Sequence, residues 1–275
     1  MNRYAFLRFP GFRRKALTLN YDDGTVYDEK MIEIMKAHGI KGTFNLDSAM
    51  FGQGRRLTEE KVRELYLPNG MEIASHGANH LRPEDVTGAQ FAMDVLKDRE
   101  ILEEITGAPV VGFAFAYGSR SDEVREFLRY TGTKYARGAA DLGDLQLPEN
   151  WLNITGTCRH RNPKLFEYCD NFLNLKESKV EWNNYPRWFF MWGHSYEFND
   201  NENWDLLEQF CEKMGGHEDV WYVTTGEMYE YVAAYNALQF SVNRSSVYNP
   251  TVTDVYLFEG GKQVIAAAGK VTRII

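Results

Sequence analysis

The chain has 275 residues, of which 44% are hydrophobic and 25% charged, and a net charge of −8. That composition supplies a full core for one large domain or two small ones and excludes a disordered chain. The acidic balance, with no clustered Lys or Arg, argues against nucleic acid as a partner. Cys158, Cys169 and Cys211 are odd in number and widely spaced, so they form neither a disulfide framework nor a zinc-finger spacing and read as buried thiols. The first residues carry no apolar run long enough for an export signal, and no segment approaches membrane-span length. The chain is therefore expected to be cytoplasmic, without a membrane partner.

In chain order, Lys15–Tyr21 reads as a strand. Asp28–His38 reads as a helix with Met31, Ile32 and Met35 on one face and Gly39 as its stop. Lys41–Asn45 is a strand, and Thr58–Leu65 a helix with a Thr cap and Glu59-Glu60 in its first turn. Met71–Ala74 is a strand running into His76. Pro83–Thr106 is expected as one helix, stopped by Gly107. Val110–Ala116 is a strand running into Tyr117-Gly118, Ser121–Tyr130 a capped helix, and Lys134–Ala136 a short strand. Residues 138–162 have no regular pattern and read as a functional loop. Pro163–Leu175 is a helix, Arg187–Trp192 a strand ending in Gly193-His194, Asn203–Met214 a helix, Val220–Thr224 a strand and Gly226–Leu238 the last helix.

About seven strand-then-helix units imply parallel strands joined by helical crossovers. Asp22, His76, Tyr117, Arg137 and His194 all fall at or just beyond strand C-termini, which converge on one face of a (β/α) barrel. No Gly-x-Gly-x-x-Gly or Walker sequence supports an open doubly wound alternative. After about Leu238 the pattern changes. Thr253–Phe258 and Lys262–Ala266 alternate around Glu259-Gly260-Gly261 as a β-hairpin. The expectation is a distorted (β/α) barrel over residues 1–238 with a β-rich extension, 239–275, packed on it.

Asn20-Tyr21-Asp22-Asp23-Gly24 ends the first strand, and Ser75-His76-Gly77-Ala78-Asn79-His80 follows the third. One carboxylate with two imidazoles is a recurring ligand set for a catalytic divalent metal, leaving positions open for water and substrate. The other carboxylate is then free to act as a general base. His194 is a strand-end imidazole whose ordinary pKa suits a general acid, with Glu197 placed to orient it. Ser119 and Ser195 lie in no nucleophile elbow. His38, His160 and His217 read as surface or structural. Trp151, Trp182, Trp188, Trp192 and Tyr196 supply rings able to stack on sugars, although most are expected in the core, with Trp192 and Tyr196 the candidates for substrate.

These residues resemble the motifs of the polysaccharide deacetylases of carbohydrate esterase family 4. Tyr21-Asp22-Asp23-Gly24 resembles the first motif, Ser75-His76 to His80 the second, and Phe113-Ala114-Phe115-Ala116-Tyr117-Gly118 the third, while Gly193-His194 stands where the last supplies a histidine. The resemblance spans about Lys15 to Tyr231. It implies a distorted (β/α) barrel with fewer than eight units, Asp22 as base, Asp23, His76 and His80 as metal ligands, His194 as acid, and the Tyr117 backbone N–H facing the oxyanion. The departures are Ala114 where the family has an Arg tethering the base, Ala116 for Pro, and Tyr21 for Phe. Arg137 or Arg120 could supply the missing guanidinium. The expected activity is metal-dependent removal of acetyl groups from N- or O-acetylated carbohydrate, with zinc first and nickel, cobalt or manganese as alternatives. An amidohydrolase of a small cyclic amide or ureide and a non-catalytic carbohydrate-binding relative are the other readings.

Overall fold

Lys15–Asp22 is buried along its whole length, as befits a strand covered on both faces. The computed structural model describes residues 3–118, 121–180 and 183–274. Ser119, Arg120 and Trp182 lie outside these. A short strand, β1 (Leu7–Arg8), precedes β2 (Lys15–Asp22). The parallel sheet continues with β3 (Gly42–Leu46), β4 (Glu72–Ser75), β5 (Gly112–Ala114), β6 (Tyr135–Asp141), β7 (Ile154–Gly156), β8 (Cys158–Arg159) and β9 (Arg187–His194). Its order is β7-β6-β5-β4-β3-β2-β9-β8, and β10 (Val220–Tyr222) pairs the first residues of β2. β7 lies on β6 and β8 on β9, and Thr157 alone separates the two. The segment Ile154–Arg159 thus brings the sheet round almost to closure. The fold is a nearly closed (β/α) barrel, in agreement with the strand–helix alternation.

The helices are α1 (Asp28–Ala37), α2 (Glu59–Leu65), α3 (Gly88–Thr106), α4 (Asp122–Tyr130), α5 (Leu165–Leu173), α6 (Tyr196–Asp200), α7 (Trp204–Met214) and α8 (Thr225–Asn236). Thr58 and Ser121 cap α2 and α4 through their hydroxyls. The helix expected from Pro83 starts instead at Gly88. Extended Thr87 forms a capping box with Gln90, and Pro83–Asp85 is left as a separate 3-10 turn. Residues 138–162, expected to be irregular, contain the end of β6 and both short strands that close the barrel. Gly156 in their middle hides the apolar pattern and is needed there, because a Cβ would lie 2.5 Å from Cδ1 of Trp192.

Side chains of β2 alternate. Leu17, Leu19 and Tyr21 join a core with Met31, Met35 and Phe210. Thr18, Asn20 and Asp22 enter a polar network instead. Asn20 donates to Thr225 Oγ1 (3.1 Å), and Asn45 donates to Asn20 Oδ1 (2.7 Å). The barrel thus carries a hydrogen-bonded polar column that leads to the C-terminal ends of its strands.

β11 (Gln239–Phe240), β12 (Ser246–Tyr248) and β15 (Val271–Arg273) form one small sheet, while the hairpin β13 (Val255–Glu259) and β14 (Lys262–Ala266) forms another with β1. The hairpin turn is Gly260-Gly261, both at positive φ as a tight turn requires. Tyr231 of α8 donates to Arg8 O (2.6 Å) and accepts from the Tyr256 N–H (3.0 Å), fastening β1 and β13 to the last helix. The three cysteines are buried and free. No described helix is long and apolar enough to cross a membrane.

Candidate active site

Parallel register sets Asp22 opposite Asn45 of β3 and opposite His194 of β9. The chain then leaves β2 sharply, with Asp23 at φ 82°; His80 and Tyr117 are also at positive φ, 51° and 59°. Such backbone is costly for a residue with a side chain and persists where the surroundings enforce it, commonly at functional sites. Asp23 Oδ1 lies 3.4 Å from His80 Nε2 and 3.8 Å from His76 Nε2. His76 Nδ1 is 2.8 Å from Ala114 O, and a carbonyl can only accept. Nδ1 therefore carries a proton, and Nε2 is the ring nitrogen turned toward Asp23. Burial, with the His76 ring beside it, lowers the His80 pKa to about 4, so this imidazole is neutral near pH 7. One donor atom from each of Asp23, His76 and His80 lies within 4.8 Å of the others. Two imidazole nitrogens and a carboxylate oxygen, converging at a cavity, fit a divalent transition metal.

Asp22 is buried, and its Oδ1 accepts from Asn45 Nδ2 (2.8 Å) and from the Arg137 guanidinium. Burial alone would raise its pKa. Arg137, with His76 and His194 behind it, holds the carboxyl well below the usual carboxylate range. Oδ2 is the oxygen nearer His194 (3.8 Å to Nε2). Arg137 also donates from Nε to Asn20 Oδ1 (3.1 Å), while its buried NH1 has no partner among the described residues. The guanidinium that reaches Asp22 thus comes from β6, where Arg137 pairs with Ala114 of β5.

His194 is held from behind. Arg159 NH2 lies 3.0 Å from its Nδ1, and Glu197 Oε2 lies 3.5 Å from the same nitrogen. Arg159 also grips Glu197 with two donors (2.6 and 3.2 Å). Burial opposes ionisation of Glu197, yet His194 and Arg159 pull its pKa to about 2. The guanidiniums of Arg137 and Arg159 both lie on the indole of Trp192, 5.1 and 5.0 Å from its ring centroid. His160 is buried, stacked between Tyr21 and Phe198, with Nε2 3.4 Å from Glu197; it is structural rather than at the surface. Ser195 is buried and bonded to Asp28 and Thr25. His38 follows α1, and His217 pairs with Lys213 O.

A cavity of about 280 Å³ brings together Asp22, Asp23, His76, His80, Tyr117, Arg137, Trp192, His194 and Tyr196, every candidate site residue read from the sequence. Tyr117 is largely exposed; its ring meets His80 edge-on at 4.8 Å and lies under the Arg82 guanidinium. Trp151 and Trp188 pack on each other away from the cavity. Sequence reasoning missed four contributors. Asn45 ends a strand, so the rule that found the others would have found it. Arg159 lies in the patternless stretch. Arg56, donating to Asp47 (2.7 Å) and to Asp23 Oδ1 (3.0 Å), and Asp47 itself sit in loops with no spacing signal.

Residues 10–136 match the family model described as polysaccharide deacetylase. No protein of curated function matches the chain by sequence. Among solved structures, a Mycobacterium smegmatis protein assigned as a polysaccharide deacetylase shares 16% identity over 86% of this chain and 96% of its own, with a TM-score of 0.65. Peptidoglycan deacetylase PdaC from Bacillus subtilis gives 15%, 81%, 93% and 0.51. A family 4 pseudoenzyme from Bacillus anthracis gives 18%, 78%, 66% and 0.50. At such identities the shared property is the fold. The chain spans 61% of a Streptococcus pyogenes deacetylase and 44% of a Bacillus cereus polysaccharide deacetylase that it also matches.

Proposed function

Residues 10–136 belong to the polysaccharide deacetylase family, and from that premise we propose that this chain is a hydrolase that removes acetyl groups from N- or O-acetylated carbohydrate with the help of a divalent metal. The observation that carries the proposal is the meeting, within about 4 Å, of Asp23 with His76 and His80 and of Asp22 with His194 at one end of the barrel. Asp23, His76 and His80 would hold the metal, zinc first, which when bound supplies Lewis acidity to the acetyl carbonyl and to water. Asp22, through Oδ2, takes a proton from the attacking water. The backbone N–H of Tyr117 faces the developing oxyanion, a donor role worth most in a dry cavity. His194 gives a proton from Nε2 to the departing amine or alkoxide. Arg137 fixes the base, and Arg159 with Glu197 fixes the acid. Trp192 and Tyr196 wall the sugar site. Residues 1–238 form the catalytic unit in this reading, with 239–275 as its extension.

The pseudoenzyme neighbour and Ala114 make a non-catalytic relative the competing reading. The contact of Arg137 with Asp22 speaks for catalysis, because a guanidinium reaches the base despite Ala114. The test is elemental analysis of the purified protein joined to an acetate-release assay on chitin oligosaccharides. Bound metal with acetate release is expected. A metal-loaded protein that only binds the sugars would favour the non-catalytic reading.

A further inference from the structure

Beside the catalytic cavity lies a second one, of about 460 Å³, lined by Asp23, Thr25, Met50, Gln53, Arg55, Arg56 and Tyr196 among others. The two cavities share Asp23 and Tyr196 and therefore adjoin. The second wall is fastened to the carboxylate turn by main-chain bonds. Val26 N donates to Arg55 O (2.9 Å), and Leu57 N donates to Gly24 O (2.9 Å). Arg55 and Arg56 are therefore held in fixed position relative to Asp23.

The two arginines differ. Arg56 is mostly buried, with Nε and NH2 on Asp47 and NH2 on Asp23. Arg55 stands half-exposed and uses NH1 alone, which bridges both oxygens of Asp200 at 2.7 Å. Asp200 is itself 41% exposed, and an ion pair this open to water exchanges readily with a competing anion. Arg55 lines the cavity and Asp200 does not; Nε and NH2 of Arg55 make no hydrogen bond among the described residues, which leaves them for an external anion on a planar guanidinium suited to carboxylate or sulfate oxygens.

Resting on the deacetylase reading, we propose that the second cavity receives the sugar next to the acetylated one, and that this neighbour carries an anionic group, a carboxylate or a sulfate ester, held by Arg55. The substrate class is then an acidic oligosaccharide. Asp200 competes with that group for the same guanidinium.

The test compares three disaccharides on the metal-loaded protein: N,N′-diacetylchitobiose, its sulfated form, and a glucuronic acid–N-acetylglucosamine disaccharide. Binding is followed by calorimetry and turnover by acetate release. At least one acidic disaccharide should bind about 10-fold more tightly than the neutral one, the worth of one charge-assisted hydrogen bond. The acid preferred identifies the group. Arg55→Gln should bring acidic and neutral affinities together, and Asp200→Asn should widen the gap. Equal affinity for all three in the wild type, or a preference that survives Arg55→Gln, overturns the proposal. Because binding is read apart from turnover, tight Arg55-dependent binding without acetate release would uphold the anion site while sinking the deacetylase reading.

Discussion

Asp22 and Asp23 are adjacent in the chain and stand in opposite surroundings. Asp22 is the last residue of a regular strand, its Oδ1 taken by Asn45 and Arg137. Asp23 is off the strand at positive φ, with two imidazole nitrogens within 4 Å of Oδ1. Asp22→Asn is expected to keep the metal and lose about 10²–10⁴ in turnover, the usual range for a general base. Its thermal midpoint should fall as well, since Arg137 then faces a neutral amide in a buried site. Asp23→Asn, like His76→Ala or His80→Ala, should lose the metal. Metal content of the purified variants decides, and loss in Asp22→Asn with retention in Asp23→Asn would exchange the two roles. For His194→Ala, metal binding should survive. The rate loss should be smallest on activated aryl acetates, whose leaving groups need little protonation; an equal loss on every substrate would make His194 a positioning residue.

At the scale of elements, the end of β9 is set by one glycine. A Cβ at Gly193 would lie 2.1 Å from His160 Nδ1, and that ring is clamped between Tyr21 and Phe198. Gly193→Ala should therefore cost about 1–3 kcal/mol by overpacking and displace His194, lowering activity beyond the stability loss. Chemical denaturation beside acetate release measures both, and an unchanged midpoint would show that His160 yields. The same elements show what the sequence made legible. Strand ends were readable because period-two and period-3.6 patterns alternate cleanly, and the barrel follows from parallel crossovers. Asp22, His76, Arg137 and His194 then meet by topology alone. Arg159 and the strands Ile154–Gly156 and Cys158–Arg159 were not readable. Each strand is too short for a periodic pattern and exists by pairing with β6 or β9. Arg56 was hidden for a related reason, since its contacts to Asp47 and Asp23 arise from a loop folding back on the turn at Gly24.

For the whole molecule, buried titratable groups shape stability against pH. Burial lowers the His160 pKa from 6.5 to about 3, despite the opposing Glu197. Between those values the unfolded chain binds a proton that the native one refuses, so this group costs stability as pH falls from about 6.5. Asp28 acts with the opposite sign. Burial, against bonds from Ser195 and Tyr66, raises it from 3.8 to about 7, and its contribution is full below pH 3.8 and lost as pH rises through 7. The two oppose each other between pH 4.5 and 6.5, and below that Glu197, drawn from 4.5 to about 2, adds to the acid loss. Replacing His160 by Phe, which keeps an aromatic ring between Tyr21 and Phe198, removes one side of that balance. The variant should gain on the wild type by up to about 1.4 kcal/mol per pH unit as pH drops from 6.5 to 4.5. Urea midpoints at the two pH values test it, and parallel curves would exclude His160 as the source.

The pairing of β2 with β9 places residue 22 beside residue 194 across a single strand interval. A chain emerging from the ribosome has Asp22, Asp23, His76 and His80 available once residue 80 is out. Asp22 has no His194 facing it until nearly three quarters of the chain has been made and the last long stave has docked against the first. Assembly of the full cavity is thus timed by closure of the barrel. On the proposed reading, fragments of increasing length should acquire metal binding before they acquire turnover, and turnover appearing in a fragment that ends before His194 would remove that residue from the reaction.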